Sequence, residues 1–261
     1  HYIIERLKSI DNQTYPIYEI IYLDDASTDN SNEKVINYID KSYNNIIIDL
    51  NLENSGNVFS QWKKGISKAK GDYIWIAEAD DLSDRYFLEN IMKGFEYDNV
   101  VISYSQSKQI NEAGSIIANE YLYYTNDVDI HKWSTDYVNN GVDEIKQCMS
   151  IKNTIPNISA VVFKKVNNIN VICSEIDNYK VAGDWLFYIN LLEIGNIYFC
   201  SKSLNYHRRH EDSIVKTVNN KIHFNEIVAI QNYISNKYDL SKEISNKVQL
   251  YRTIVKKYLN V

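Results

Sequence analysis

The stretch Tyr73-Ile74-Trp75-Ile76-Ala77-Glu78-Ala79-Asp80-Asp81 decides the fold class. Residues rich in β-formers follow Gly71-Asp72 and end abruptly in carboxylates. A short apolar run bounded by polar residues reads as a buried strand. Glu19-Ile20-Ile21-Tyr22-Leu23, running into Asp24-Asp25-Ala26-Ser27-Thr28-Asp29, has the same form. Between the two, Asp29 or Ser31 is placed to cap a helix through Ile39, and Asn45 to Leu50 reads as a strand. Val58, Phe59, Trp62, Ile66 and Ala69 then share one helical face. Strands alternating with helices specify an α/β domain whose mainly parallel sheet is flanked by helices.

The pattern extends both ways. Upstream, Ile3, Leu7 and Ile10 repeat at helical spacing. Downstream, Ser83 is expected to cap a helix with Phe87, Leu88, Ile91, Met92 and Phe95 on its apolar face, and Val100 to Tyr104 is a fourth strand. Residues 107–142 are irregular and read as an antiparallel excursion with a long loop. Ser159 to Phe163 resumes strand character, and a helix follows Asp184 as far as Gly195. Ile197–Cys200 and Leu204–His207 read as two short strands. Phe224, Ile227, Ile230 and Ile234 form one stripe. After Ser241 a second holds Ile244, Val248, Tyr251, Val255 and Leu259, so residues 216–261 are expected to be a helical hairpin docked on a domain of residues 1–215.

Composition narrows the function. The 261 residues are 44% hydrophobic and 24% charged, ordinary values for a globular chain. The net charge of -6 argues against nucleic acid as a partner. The one dense basic cluster, His207-Arg208-Arg209-His210, suits a smaller anion. No apolar run approaches the roughly 20 residues that cross a bilayer. Cys148, Cys173 and Cys200 lie far apart without metal spacing and read as buried thiols in a reducing compartment.

In an open parallel sheet, ligands bind beyond the carboxyl ends of the strands, so both acidic clusters are expected at one crevice. Alternate residues of an extended segment point the same way, which projects Glu78 and Asp80 together and turns Ala79 away. Paired carboxylates repel unless a cation neutralises them, and oxygen ligands suit Mg²⁺ or Mn²⁺. Asp81 serves equally well as a favourable charge at the start of the next helix. Asp24 and Asp25 can accept hydrogen bonds from a nucleotide base or ribose, whereas Ser27, Thr28 and Asp29 read as turn and capping residues.

Taken together, Leu23-Asp24-Asp25-Ala26-Ser27-Thr28-Asp29-Asn30-Ser31, Asn54-Ser55-Gly56-Asn57 and Gly71 to Asp81 resemble family 2 glycosyltransferases in order and spacing. The resemblance is clear over residues 1–105 and continues more weakly through Asn157-Ile158-Ser159-Ala160, Gly183-Asp184-Trp185 and Tyr206 to His210. It implies a GT-A (Rossmann-like) fold and an inverting, metal-dependent transfer from a nucleoside-diphosphate sugar, a UDP-sugar first among donors, to a hydroxyl acceptor. By that resemblance Asp24 or Asp25 contacts base or ribose. Glu78-Ala79-Asp80 is the DxD-type motif, with Glu in its first position and Asp80 the metal ligand. Asp184 is the catalytic base, His210 (with His207 as second candidate) a further metal ligand, and Arg209 a diphosphate contact alongside Arg208. Lys63 and Lys64, in the helix before the motif, read as a solvated face.

The same resemblance implies Mn²⁺ or Mg²⁺ as cofactor and a saccharide or lipid-linked glycan as acceptor. It points to bacterial surface polysaccharide as the product, made in the cytoplasm, with peripheral contact at the inner membrane face as an extension. The family's opening strand, which ends in a Pro-x-Tyr-Asn-like segment, has no counterpart here, since the sequence starts at His1-Tyr2. Two alternatives stand beside the transferase. A nucleotidyltransferase would show a Gly-rich basic loop near the first strand, and a decayed, non-catalytic nucleotide-sugar-binding module would lack an intact Asp80, Asp184 and His210.

Overall fold

The computed structural model describes residues 2–42, 46–210 and 218–261. Helix α1 (Ile3–Asp11) leads to strand β1 (Ile20–Asp24), helix α2 (Ser31–Ser42) and strand β2 (Ile46–Leu50). β1 and β2 pair in parallel, Ile20 opposite Ile46 and Asp24 opposite Leu50, as a separate two-stranded sheet. Helix α3 (Val58–Lys68) crosses to β3 (Tyr73–Trp75), β4 (Leu82–Ser83) and α4 (Phe87–Met92). Next come β5 (Val100–Ile110), β6 (Ile116–Ala118), α5 (Leu122–Thr125), β7 (Tyr137–Asn139), α6 (Gly141–Glu144) and β8 (Val161–Lys164). The chain finishes with α7 (Ile169–Ile176), α8 (Gly183–Leu192), β9 (Asn196–Arg208), α9 (Asn220–Lys237) and α10 (Lys242–Leu259).

The larger sheet has the order β3-β8-β5-β9-β4, with β6 on β5 and β7 on β9. It is more mixed than the helix–strand alternation foretells. β5 and β9 run parallel, while β3–β8, β5–β8, β4–β9, β5–β6 and β7–β9 are antiparallel. β6 and β7 come from the irregular middle of the chain, where strands of three residues carry little periodic signal, and the direction in which β3, β4 and β8 pair is set by tertiary contacts.

Three boundaries differ from expectation, each for a local reason. Ser83 lies in β4 rather than capping α4, because its hydroxyl accepts a 2.7 Å hydrogen bond from the Arg6 guanidinium. The turn into α4 is made instead by Asp84, whose carboxylate accepts from the Tyr86 N–H. β5 runs six residues past Tyr104, to Ile110. Its buried polar side chains find partners there: Ser103 donates to the Ile91 carbonyl, and Ser107 accepts from Asn205. Residues 196–208 are one strand, not two, with register shifts against β5 near Gln106 where the sequence pattern breaks.

The core continues from the sheet into the C-terminal hairpin. Ile227, Ile230 and Ile234 of α9 and Val248 of α10 belong to the same buried cluster as Trp62, Phe163, Trp185 and Phe187. Ser241 caps α10 through an Ile244 N–H bond, as its sequence position predicts. All three cysteines are free and buried. Among the described residues no helix is long and apolar enough to cross a membrane.

Candidate active site

β3 delivers Glu78 and Asp80 to a cavity whose floor is the aromatic face of α3. Phe59 and Trp62 meet edge to face, and Trp62 packs on Phe187. Gly183 is needed here, since a Cβ at that position would sit 2.7 Å from the Phe59 ring. Removing that side chain lets α8 approach closely and brings Asp184 into the same cavity wall. From the far end of β9, His207, Arg209 and His210 complete the lining. Five of the seven residues singled out as a site therefore converge: Glu78, Asp80, Asp184, Arg209 and His210.

The strand ends are tied to one another. Asp81 is 1% exposed and accepts from the Arg208 backbone N–H and from Asn157, both at 2.8 Å. This fixes the end of β9 above the acidic segment. The Arg208 guanidinium is spent on structure, donating to the carbonyls of Asp80, Asn111 and Glu112 and pairing with Glu5. Arg209, by contrast, is exposed at the cavity and has its side chain on the Tyr121 hydroxyl. His210 Nε2 lies 2.8 Å from Asp80 Oδ2. His207 is engaged elsewhere, its Nδ1 2.6 Å from the Tyr121 hydroxyl, and burial holds its pKa below the usual imidazole range.

Glu78 has its backbone N–H on Ser159 Oγ and its carboxylate 3.3 Å from the Trp62 indole N–H. Burial, reinforced by the charges of Asp80 and Asp81, pushes its pKa up to about 7. Ala79 is exposed, but with Asp80 it lies in a turn closed by the Asp81 N–H on the Glu78 carbonyl, not in the extended segment expected. Asp184 accepts from the Trp185 N–H at 2.7 Å and from Asn153 Nδ2 at 2.9 Å, and α8 begins one residue before it, so it is not the cap of that helix. Burial outweighs these hydrogen bonds and raises its pKa to about 7. Among the described residues no three His, Cys, Asp or Glu side chains are grouped to hold a metal.

Asp24 and Asp25 stand outside this lining. Asp24 is buried and accepts from the Ser27 N–H and Asn32. Asp25 accepts from Asn51, from Ser55 through both N–H and hydroxyl, and from Gln61 of α3. These bonds hold both pKa values below the usual carboxylate range despite some burial. Ala26 between them and the following turn has φ +60°, a left-handed conformation. Lys63 and Lys64 are ion-paired to Asp177 and Asp49.

Arg6 went unnoticed in the sequence motifs. It is 1% exposed, lies 4.7 Å over the Trp75 ring, and has Nε and one terminal nitrogen without a hydrogen-bond partner. Burial lowers its pKa to about 10, against the opposing pull of Asp81, Glu78 and Asp80. It is the internal counter-charge of the acidic segment. The signal was present: Arg6 occupies a buried position of α1 along with Ile3, Leu7 and Ile10.

Comparison with known proteins agrees with this architecture. "Glycosyltransferase GlyG" of Streptococcus pneumoniae is 34% identical over 134 residues, which are 51% of this chain and 40% of that protein. "Poly(ribitol-phosphate) beta-glucosyltransferase" of Bacillus spizizenii is 41% identical over 81 residues, 30% of this chain and 13% of that one. This chain thus spans less than half the length of these relatives. Among solved structures, S. aureus TarS 1-349 in complex with UDP-GlcNAc superposes with a TM-score of 0.67 at 17% identity, over 96% of this chain and 67% of that one. The fold is accordingly GT-A. The sequence profile described as "Glycosyl transferase family 2" matches residues 1–147, and the chain belongs to that family.

Proposed function

We propose that this domain transfers a sugar from a nucleoside-diphosphate sugar to a hydroxyl of a glycan acceptor, with inversion at the anomeric carbon. The convergence of Asp184, Asp80 and His210 on one cavity, from three distant parts of the chain, is the observation that carries the reading. Asp184 acts as general base. A carboxyl whose pKa lies near the working pH is poised to take the acceptor's proton. Each of its oxygens accepts one structural hydrogen bond, which leaves a lone pair for the acceptor hydroxyl. Backside attack by that oxygen inverts the configuration.

The residues present fit a divalent ion of the Mn²⁺ or Mg²⁺ kind. Asp80 and His210, 2.8 Å apart, offer one oxygen and one nitrogen donor of the kinds such an ion accepts. Asp80 and His210 would hold it, with Glu78 near, and the donor's phosphates and water would supply the other ligands. When bound, the ion neutralises charge on the departing diphosphate. Arg209 adds a cation from the end of β9. Asp24 and Asp25 are assigned to the base or ribose side. The UDP and UDP-GlcNAc complexes of TarS support a UDP-sugar as donor. The names of two relatives, a poly(ribitol-phosphate) beta-glucosyltransferase of Bacillus spizizenii and a chondroitin synthase of Pasteurella multocida, support a bacterial polymer as acceptor.

Incubation with UDP-glucose, UDP-galactose and UDP-N-acetylglucosamine, each with Mn²⁺ and a poly(ribitol phosphate) or hexosamine-containing acceptor, tests this. Product of inverted anomeric configuration by NMR is expected. Binding of donors without any transfer or UDP release would favour a non-catalytic binding module.

A further inference from the structure

Helix α8 begins at Gly183; its N-cap Ala182 has no capping side chain and Asp184 takes the Trp185 N–H, which leaves the N–H groups leading into the helix to be met from elsewhere. Such groups need partners when a helix starts inside a protein. Those of Lys180, Val181 and the N-cap Ala182, which lead into the helix, find one more than forty residues away. Glu226 of α9 accepts from the backbone N–H of Lys180 at 2.7 Å and from those of Val181 and Ala182 at 2.9 Å each. A carboxylate at this end also complements the helix dipole. The segment so held runs directly into Asp184, and Lys180 and Val181 line the cavity with it.

The same helix grips the other partner of Asp184. Gln231 is fully buried; its Nε2 donates to the Ile151 carbonyl at 2.7 Å, and its oxygen accepts from Arg252 Nε of α10 at 2.6 Å. Two residues beyond Ile151, Asn153 donates to Asp184 Oδ2. Lys152 between them is anchored on the Tyr124 carbonyl and lies over the rings of Tyr124 and Tyr251, the latter from α10. Ile227, Ile230 and Ile234 seat α9 in the main core and fix its rotation.

We propose that α9 is the positioning brace of the candidate base: Glu226 sets the entry of α8 and Gln231 sets the Ile151–Asn153 segment, so that both sides of the Asp184 carboxylate are held by the C-terminal hairpin. The proposal rests on Asp184 being the base. It gives the hairpin a role in transfer rather than in stability alone. Glu226 is also the charged group whose field opposes ionisation of Asp184. Tyr124 and Tyr188 face Asp184 from the other elements, and Tyr179 and His223 face Glu226.

The test compares Glu226→Gln, Gln231→Leu and Asp184→Asn by UDP release from the UDP-sugar panel across pH, with UDP binding as the control for folding. Both brace variants are expected to bind UDP as the parent does and to lose about tenfold to a hundredfold in kcat with little change in donor KM, the scale of a small misplacement of a reacting group. In Glu226→Gln the acidic limb of the kcat profile moves to lower pH, because a negative charge beside Asp184 is gone. In Gln231→Leu it stays in place. Parent-like kcat and an unmoved limb in Glu226→Gln, with Asp184→Asn inactive, overturn the brace while leaving the base intact. Parent-like release in Asp184→Asn overturns the base and, with it, the brace.

Discussion

His210 Nε2 and Asp80 Oδ2 stand 2.8 Å apart although 130 residues separate them in the chain. Asp81 makes this meeting possible, since its carboxylate holds the Arg208 backbone at the end of β9. The acidic end of one strand and the basic end of another are thus assembled by a residue that itself faces away from solvent.

Asp184→Asn keeps the shape of the carboxyl and its bond from the Trp185 N–H while removing the basic oxygen pair. Loss of a general base typically costs about 10²–10⁴ in rate. Transfer is expected to fall by that range with UDP affinity unchanged, as read by steady-state kinetics beside equilibrium binding.

The raised pKa of Asp184 sets the sign of two pH effects. As a base it must be ionised, so kcat falls as pH drops below about 7. For stability the sign is opposite. The folded state holds this proton more tightly than the unfolded chain, so protonation stabilises, and that contribution is lost as pH rises from about 4 through 7. Asp184→Asn should therefore be more stable than the parent at pH 8, on the order of 1 kcal/mol after solvent screening. The difference shrinks towards pH 4, as thermal melts across pH will show.

Arg6→Met removes the buried counter-charge of Glu78, Asp80 and Asp81 while roughly keeping the side chain's length. Stability is expected to drop by about 3 kcal/mol, the scale for leaving buried charge uncompensated. The pKa of Glu78 should rise further above about 7, since Arg6 now pulls it down. Urea titration reads the first and carboxyl NMR the second.

Ala26→Gly tests a strained turn beside Asp25. Ala26 has φ +60°, which Gly adopts without a Cβ clash. A gain of about 1 kcal/mol is expected from the relieved strain. Its measurement is the shift in denaturant midpoint at unchanged slope.

The acidic strand ends were legible because they are local: an apolar run stopping at Glu78-Ala79-Asp80 needs no partner to be recognised. Arg209 and His210 were legible as a basic loop after a strand. What escaped was tertiary. Arg6 sits among apolar residues of α1 and acquires meaning only when Trp75 and Ser83 fold against it. Asn153 and Glu226 meet the Asp184 region across 31 and 44 to 46 residues, with no motif between. The mixed sheet escaped too, because β6, β7 and β4 are only two or three residues long.

The most direct test of the central claim is thermal stability with UDP, GDP, dTDP and CDP, each with and without Mn²⁺. The account predicts a shift for a uridine nucleotide that requires the metal, vanishes in Asp80→Ala and persists in Asp184→Asn. No shift with any nucleotide–metal pair, or a shift untouched by Asp80→Ala, would contradict it.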